Sequence, residues 1–328
     1  MTSTFQRSII VLSILVWFGA SCLANIRTRR AFQQQMNISR LRAHNNTSNN
    51  ASPHICVGLF VSSFQFLIGS LFGLGCAIVF EISTINMWNI RFFVVHGLCH
   101  ALGNIFTNFC LLFGSISLTQ VIKSLEPVVS VTVQYLLLRR STLLPNLNES
   151  LGTMSIVLGC IITTCDDITV NMRILVFSCF SLISFSFRNV LTVKGNDEQK
   201  RGPFFLFTQL SLIAFLFSSV GTAAACIPSL QTHQLTDHIF IFLSLESSIH
   251  HCLYQTASIL LLHRLTVLTH AITNVCKRMC ILLAAQLFVT GEMPLTPIAW
   301  VGMISTLFGL VIFSIWPHVV ASLRSSVL

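Results

Sequence analysis

A chain of 328 residues that is 53% hydrophobic and only 9% charged, with a mean hydropathy of +0.79, is far from a soluble composition, in which about a quarter of residues carry charge. Apolar runs of about 17–25 residues recur along its whole length, each able to cross a hydrocarbon core of about 30 Å, which excludes a sizeable soluble domain. The net charge of +9 has no soluble basic patch with interleaved aromatics behind it, so the lipid bilayer is the expected partner and nucleic acid is not.

Ten spans are predicted, at 8–24, 55–80, 92–112, 116–138, 151–169, 171–193, 203–226, 239–262, 266–288 and 295–316. They make an all-α membrane protein, one polytopic domain over 1–328. The first span begins after Arg7 and ends in the small residues Ser21-Cys22-Leu23-Ala24, a pattern that also suits a cleaved leader; Trp17 and the length of the run favour a true span. Residues 25–54, rich in Arg and Asn, read as the one long loop, with sequon triplets at Asn37-Ile38-Ser39 and Asn50-Ala51-Ser52. Twelve cysteines without a CxxC pair, most of them inside spans, read as small packing residues rather than a disulfide scaffold.

The third span carries a polar stripe of His96, His100, Asn104 and Thr107, read as cavity lining. His at i and i+4 without a third strong ligand is poor support for a metal, and Glu246 with His250 and His251 has the same weakness, so no metal and no cofactor is expected. In the fourth span Lys123 precedes Glu126 by three residues, the spacing of a same-helix ion pair, and Pro127 interrupts the helical bonding there. Arg188 stands six residues before Lys194, between a cavity role and snorkelling to the surface. The ninth span brings Lys277 and Arg278 together, about 100° apart around their helix.

Hairpin registers place these groups in depth. With turns near Ser115 and Leu265–Thr266, Thr107 and Lys123 lie about 12 Å in, and Tyr254 and Lys277 about 17 Å in, both near mid-membrane. A charge in the bilayer interior costs roughly 2.5–3.5 kcal/mol or more, and no dense set of acids neutralises Lys123, Arg188, Lys277 and Arg278. An anionic ligand is the missing partner. Lysine supplies point charge and arginine a planar fork, which together suit phosphate. Glu126 is assigned to charge pairing or gating. No nucleophile–base arrangement or nucleotide-cradling glycine motif is present, so no catalytic residue and no enzyme activity is expected.

Leu118-Thr119-Gln120-Val121-Ile122 is echoed 150 residues later by Leu268-Thr269-His270-Ala271-Ile272, which suggests two five-span halves at about 1–169 and 170–328.

At these residues the chain resembles the plastidic phosphate translocators, the sugar-phosphate branch of the drug/metabolite transporter superfamily. The stretches that carry the resemblance are Gly103-Asn104-Ile105-Phe106-Thr107-Asn108, Val121-Ile122-Lys123-Ser124-Leu125-Glu126-Pro127, Arg188-Asn189-Val190-Leu191 and Leu268 through Arg278. The resemblance implies ten transmembrane helices as two inverted five-helix repeats around a central phosphate site. It implies that Lys123, Lys277 and Arg278, helped by Thr107, hold phosphate, and that Tyr254 and Arg188 contact the rest of the substrate. It implies antiport of inorganic phosphate against a phosphorylated C3 compound: triose phosphate, 3-phosphoglycerate or phosphoenolpyruvate. Gln120 and Asn104 stand where many members have His, and the Gly-Asn-x-Phe-Thr-Asn and Arg-Asn-Val forms lean to the phosphoenolpyruvate branch. Only seven residues precede the first span, which suits a plastid-type outer membrane, or a Golgi or ER membrane, better than a plant inner envelope. A nucleotide-sugar transporter of the same superfamily and a non-transporting membrane scaffold are the alternative readings.

Overall fold

The computed structural model describes residues 3–45, 53–81, 90–138, 147–165, 172–199, 202–226, 237–289 and 296–327. All regular structure among them is helical: α1 (Ser3–Asn45), α2 (Pro53–Phe80), α3 (Ile90–Phe113), α4 (Ile116–Lys123), α5 (Glu126–Leu138), α6 (Leu147–Cys165), α7 (Met172–Gln199), α8 (Pro203–Cys226), α9 (His238–Leu262), α10 (Val267–Phe288) and α11 (Pro297–Val327).

The fold is inverted relative to a soluble one. Large apolar residues such as Val79, Phe80, Leu136, Val220 and Leu287 face outward, as lipid contact requires, while Ser, Asn, Gln and His are buried among the helices. Those buried polar groups bond one another across helices. Asn108 Nδ2 donates to Ser62 Oγ at 2.8 Å and Gln65 Oε1 at 2.9 Å, and Gln65 Nε2 donates to Ser247 Oγ at 2.9 Å. This chain ties α3, α2 and α9 together where no water would compete.

α1 packs along α9, α2 along α8, α3 along α7, and α6 along α11. α2 also meets α9 and α3 meets α8, while α5 leans on α7 and α1 on α10. The α6–α11 crossing is held by backbone proximity. A Cβ at Gly159 would lie 2.5 Å from the Gly302 carbonyl oxygen, and one at Gly302 would lie 2.6 Å from that of Gly159. Ser155 and Ser305 donate to each other's carbonyl oxygens at 3.1 and 3.4 Å across the same contact.

Three expectations change. The fourth span is two helices, because Pro127 has no N–H to give the Lys123 carbonyl; the chain turns through Ser124-Leu125 and restarts at Glu126. Residues 25–45 are not a loop but the continuation of α1, and the sequon Asn37-Ile38-Ser39 lies inside that helix; Asn50-Ala51-Ser52 lies outside the described residues. Arg29 donates to the Leu111 carbonyl at 2.7 Å and Arg30 to the Phe288 carbonyl at 2.8 Å, so these arginines cap the C-terminal ends of α3 and α10, where carbonyls lack helical partners. Arg27 pairs with Glu246 on α9 at 3.2 Å. Finally, among the described residues six helices are long and apolar enough to cross a membrane alone, and α6 and α11 contain shorter apolar stretches. α9 is not one of the six because Ser244, Glu246, Ser247, Ser248, His250, His251 and Gln255 make it too polar; the α4–α5 stretch is excluded by its break. The in-span cysteines Cys76, Cys110, Cys160, Cys179, Cys252, Cys276 and Cys280 are not in disulfides, whereas Cys56 at the start of α2 is disulfide-bonded.

Candidate functional site: a cationic cavity between the helices

The helices that carry Lys123, Lys277 and Arg278 are started by side-chain caps at hairpin turns. Ser115 Oγ accepts from Leu118 N at 3.1 Å before α4, and Thr266 Oγ1 accepts from Thr269 N at 3.2 Å before α10. These caps fix the registers that bring Thr107 beside Lys123 and Tyr254 beside Lys277.

Between α1, α3, α4, α5, α7, α9 and α10 lies a cavity of about 50 Å³, room for a few water molecules or part of a small anion. Four cations line it, Lys123, Arg188, Lys277 and Arg278, against one carboxylate, Glu126. All five are buried, Lys277 most exposed at 8%.

Each cation is held differently. The Lys123 ammonium donates to the Thr107 hydroxyl and stands 5.1 Å from the Phe185 ring centroid. Thr107 in turn donates to the Gly103 carbonyl at 2.7 Å and shares a hydrogen bond with Ser181. Lys277 rests on aromatic faces, 4.6 Å from Trp17 and 5.5 Å from Tyr254. Arg188 does not snorkel. Its Nε and Nη2 donate to Asn189 Oδ1 at 3.1 and 2.7 Å, and its Nη1 to Gln255 Oε1 at 2.8 Å. Phe185 covers its guanidinium at 4.9 Å.

Glu126 does not pair with Lys123 as the i, i+3 spacing suggested, because the helix breaks between them. It forms its ion pair with Arg278 instead, and accepts from Asn274 and, at 3.0 Å, from Asn189. One carboxylate thereby serves two guanidiniums, Arg278 directly and Arg188 through the Asn189 amide. Gln120 lies 3.5 Å from Arg278 through its carbonyl oxygen and donates to Asn25 at 3.1 Å, carrying the network to α1.

Asn104, His96 and His100 do not line the cavity. Asn104 accepts from His251 and Gln255, each at 2.9 Å, and reaches the cavity only through Gln255. His100 Nδ1 lies 3.3 Å from Arg188 Nη1, and His96 Nε2 lies 3.1 Å from the Arg188 carbonyl oxygen, so the stripe braces Arg188 from behind. Among the described residues no three His, Cys, Asp or Glu side chains are placed to hold a metal ion. The sequence reading missed Trp17, Phe185, Asn189, Gln255 and Asn274. For Asn189 and Asn274 the signal was present, an amide one and four residues from a buried arginine on the same helix.

Residues 8–314 match the Triose-phosphate Transporter family. The chain is 25% identical to the chloroplastic triose phosphate/phosphate translocator of Flaveria trinervia over 68% of its length and 56% of the relative's. It is 27% identical to the chloroplastic phosphoenolpyruvate/phosphate translocator 3 of Oryza sativa subsp. japonica, over 66% of this chain and 55% of that one. It is 22% identical to glucose-6-phosphate/phosphate translocator 2 of Arabidopsis thaliana, over 70% and 59%. The match thus spans somewhat over half the length of these relatives. A solved crystal structure superposes over 96% of this chain and 99% of its own with a TM-score of 0.55 at 12% identity, a likeness of fold. With the match extending from α1 into α11 and across every helix that lines the cavity, the chain belongs to the Triose-phosphate Transporter family.

Proposed function

We propose that the protein exchanges inorganic phosphate for a small phosphorylated carbon compound (triose phosphate, 3-phosphoglycerate or phosphoenolpyruvate) across a plastid-type membrane. The observation that carries this reading is the buried cavity with four cations and one carboxylate. Lys123, Lys277 and Arg278 hold the phosphate with Thr107 orienting Lys123; Arg188 and Tyr254 meet the carbon part, and Asn104 positions Gln255 against Arg188. The chloroplastic relatives, whose names pair phosphate with phosphorylated C3 and C6 compounds, support the substrate class and the membrane.

The mechanism is alternating access by two halves, about 1–169 and 170–328, of five spans each, with α4 and α5 counted as one. The packing supports an inverted repeat: exchanging α1, α2, α3, α4–α5 and α6 for α7, α8, α9, α10 and α11 turns each of the major helix contacts into another of them. Gly152, Ser155 and Gly159 on α6 recur as Gly302, Ser305 and Gly309 on α11 at the same 150-residue offset as the echo in α4 and α10. An empty, closed carrier would enclose unpaired positive charge, which is strongly unfavourable, so the loaded carrier crosses and the empty one does not. Exchange is therefore obligatory.

Reconstitution in liposomes tests this. Labelled phosphate is expected to enter vesicles loaded with phosphate or phosphoenolpyruvate, not unloaded ones, and Lys277→Ala is expected to cut uptake at low phosphate by roughly 10–100-fold. Equal uptake into loaded and unloaded vesicles overturns obligatory exchange. Absence of phosphate uptake by folded protein overturns the substrate class.

A further inference from the structure

The basic residues and their relay leave part of the cavity wall unaccounted for. Trp17 and Ser21 on α1 lie four residues apart, one turn on the same helical face, and both line the cavity. Each is only 1% exposed. Among the described residues, neither the Trp17 indole N–H nor the Ser21 hydroxyl has a hydrogen-bond partner, and Arg278 Nε on α10 has none either. Buried donors are nearly always satisfied in native proteins, and an indole can only donate.

The indole has little freedom to seek a partner elsewhere. One of its neighbours is the His270 ring, stacked at 4.7 Å, and another is the Lys277 ammonium, 4.6 Å from the ring. Asn25, one further turn along the same face, shows the contrast: it donates to the Ser21 carbonyl at 2.8 Å and accepts from Gln120, so its bonds are spent within the protein. Trp17 and Ser21 are thus uncharged donors beside a cationic site, the indole held in place by its neighbours.

We propose that Trp17 and Ser21 form an α1 subsite that takes an oxygen of the carbon part of the substrate, a hydroxyl or carboxylate, while Lys123, Lys277 and Arg278 take its phosphate. The assignment of roles follows charge: phosphate oxygens are matched by ammonium and guanidinium groups, and neutral donors discriminate an oxygen-bearing carbon chain from bare phosphate. A site built to bond a substrate oxygen rejects analogues lacking it more strongly than an apolar wall does. The inference rests on the phosphate-exchange reading above.

The test uses the full chain in liposomes, with KM measured for inorganic phosphate and for 3-phosphoglycerate. Trp17→Phe keeps an aromatic ring against His270 and Lys277 but removes the N–H together with the second ring, so Ser21→Ala, which removes a hydroxyl without adding volume, is the second, milder variant. In each variant the ratio of the 3-phosphoglycerate KM to the phosphate KM is expected to rise about tenfold, the loss of one hydrogen bond to substrate. An unchanged ratio in both variants overturns the subsite. An equal rise of both KM values also overturns it, since the donors would then serve phosphate itself. A wild-type protein that exchanges no phosphate removes the underlying reading, and shows this before any variant is made.

Discussion

Arg278 on α10 closes on Glu126 at the start of α5, joining two residues 152 apart in the chain. The same carboxylate accepts from Asn189 and Asn274, and among the described residues no other acid lines the cavity. Glu126 therefore sets how much positive charge the ligand-free site must tolerate.

Glu126→Gln keeps the shape and removes the charge. Leaving a buried cation without its partner costs about 3–5 kcal/mol, so the variant is expected to melt well below wild type in phosphate-free detergent. Phosphate should restore more of the melting temperature in the variant than it adds to wild type. A phosphate-induced rise equal to that of wild type would show that Glu126 does not govern the charge of the site.

Removing a cation should act on coupling as well as affinity. Lys123→Met and Lys277→Met each lose a charge-assisted bond of about 1.5–3 kcal/mol, which corresponds to roughly 10–100-fold in the KM for phosphate. With less charge to enclose, the empty carrier closes more readily. Uptake into unloaded vesicles, expressed as a fraction of uptake into loaded ones, is expected to increase. If that fraction stays at the wild-type value while KM rises, the cations bind substrate without enforcing exchange.

The four cations were legible because basic side chains are costly in apolar runs and therefore conspicuous. Their aromatic and amide partners were not, because Trp17, Phe185 and Gln255 are ordinary members of an apolar span until a cation is seen beside them. Glu126 misled through a spacing that holds only inside one continuous helix. The extension of α1 escaped a reading based on hydropathy, since Arg, Gln and Asn over 25–45 give no apolar run. Its signal was of another kind: neither Gly nor Pro occurs from Ala20 to Asn45, so the strongest helix breakers are absent from the extension.

Arg188 should not tolerate lysine. Its planar fork bonds Asn189 through two nitrogens and Gln255 through a third, while stacking on Phe185. An ammonium cannot reproduce that geometry. Arg188→Lys is expected to raise the KM for phosphoenolpyruvate about tenfold or more, while Arg188→Gln, which keeps part of the bonding but no charge, separates geometry from charge. Equal KM values for wild type and Arg188→Lys would show that only the charge at this position matters.

The α6–α11 crossing makes the opposite kind of prediction, because neither helix lines the cavity. At Gly159 and Gly302 an added Cβ meets the facing carbonyl oxygen at 2.5 and 2.6 Å, so even alanine must push the backbones apart. Gly159→Ala is expected to cost about 1–3 kcal/mol through overpacking, and Gly159→Leu more, read as a fall in melting temperature in detergent. The reciprocal Ser155–Ser305 bonds span the same crossing and would be stretched with it. If this contact is a fixed scaffold about which the halves rock, Gly159→Ala lowers stability and leaves the phosphate KM unchanged. A stability loss accompanied by slower exchange at unchanged KM would instead make the crossing part of the motion, since the two helices would then have to slide on each other as the cavity changes sides.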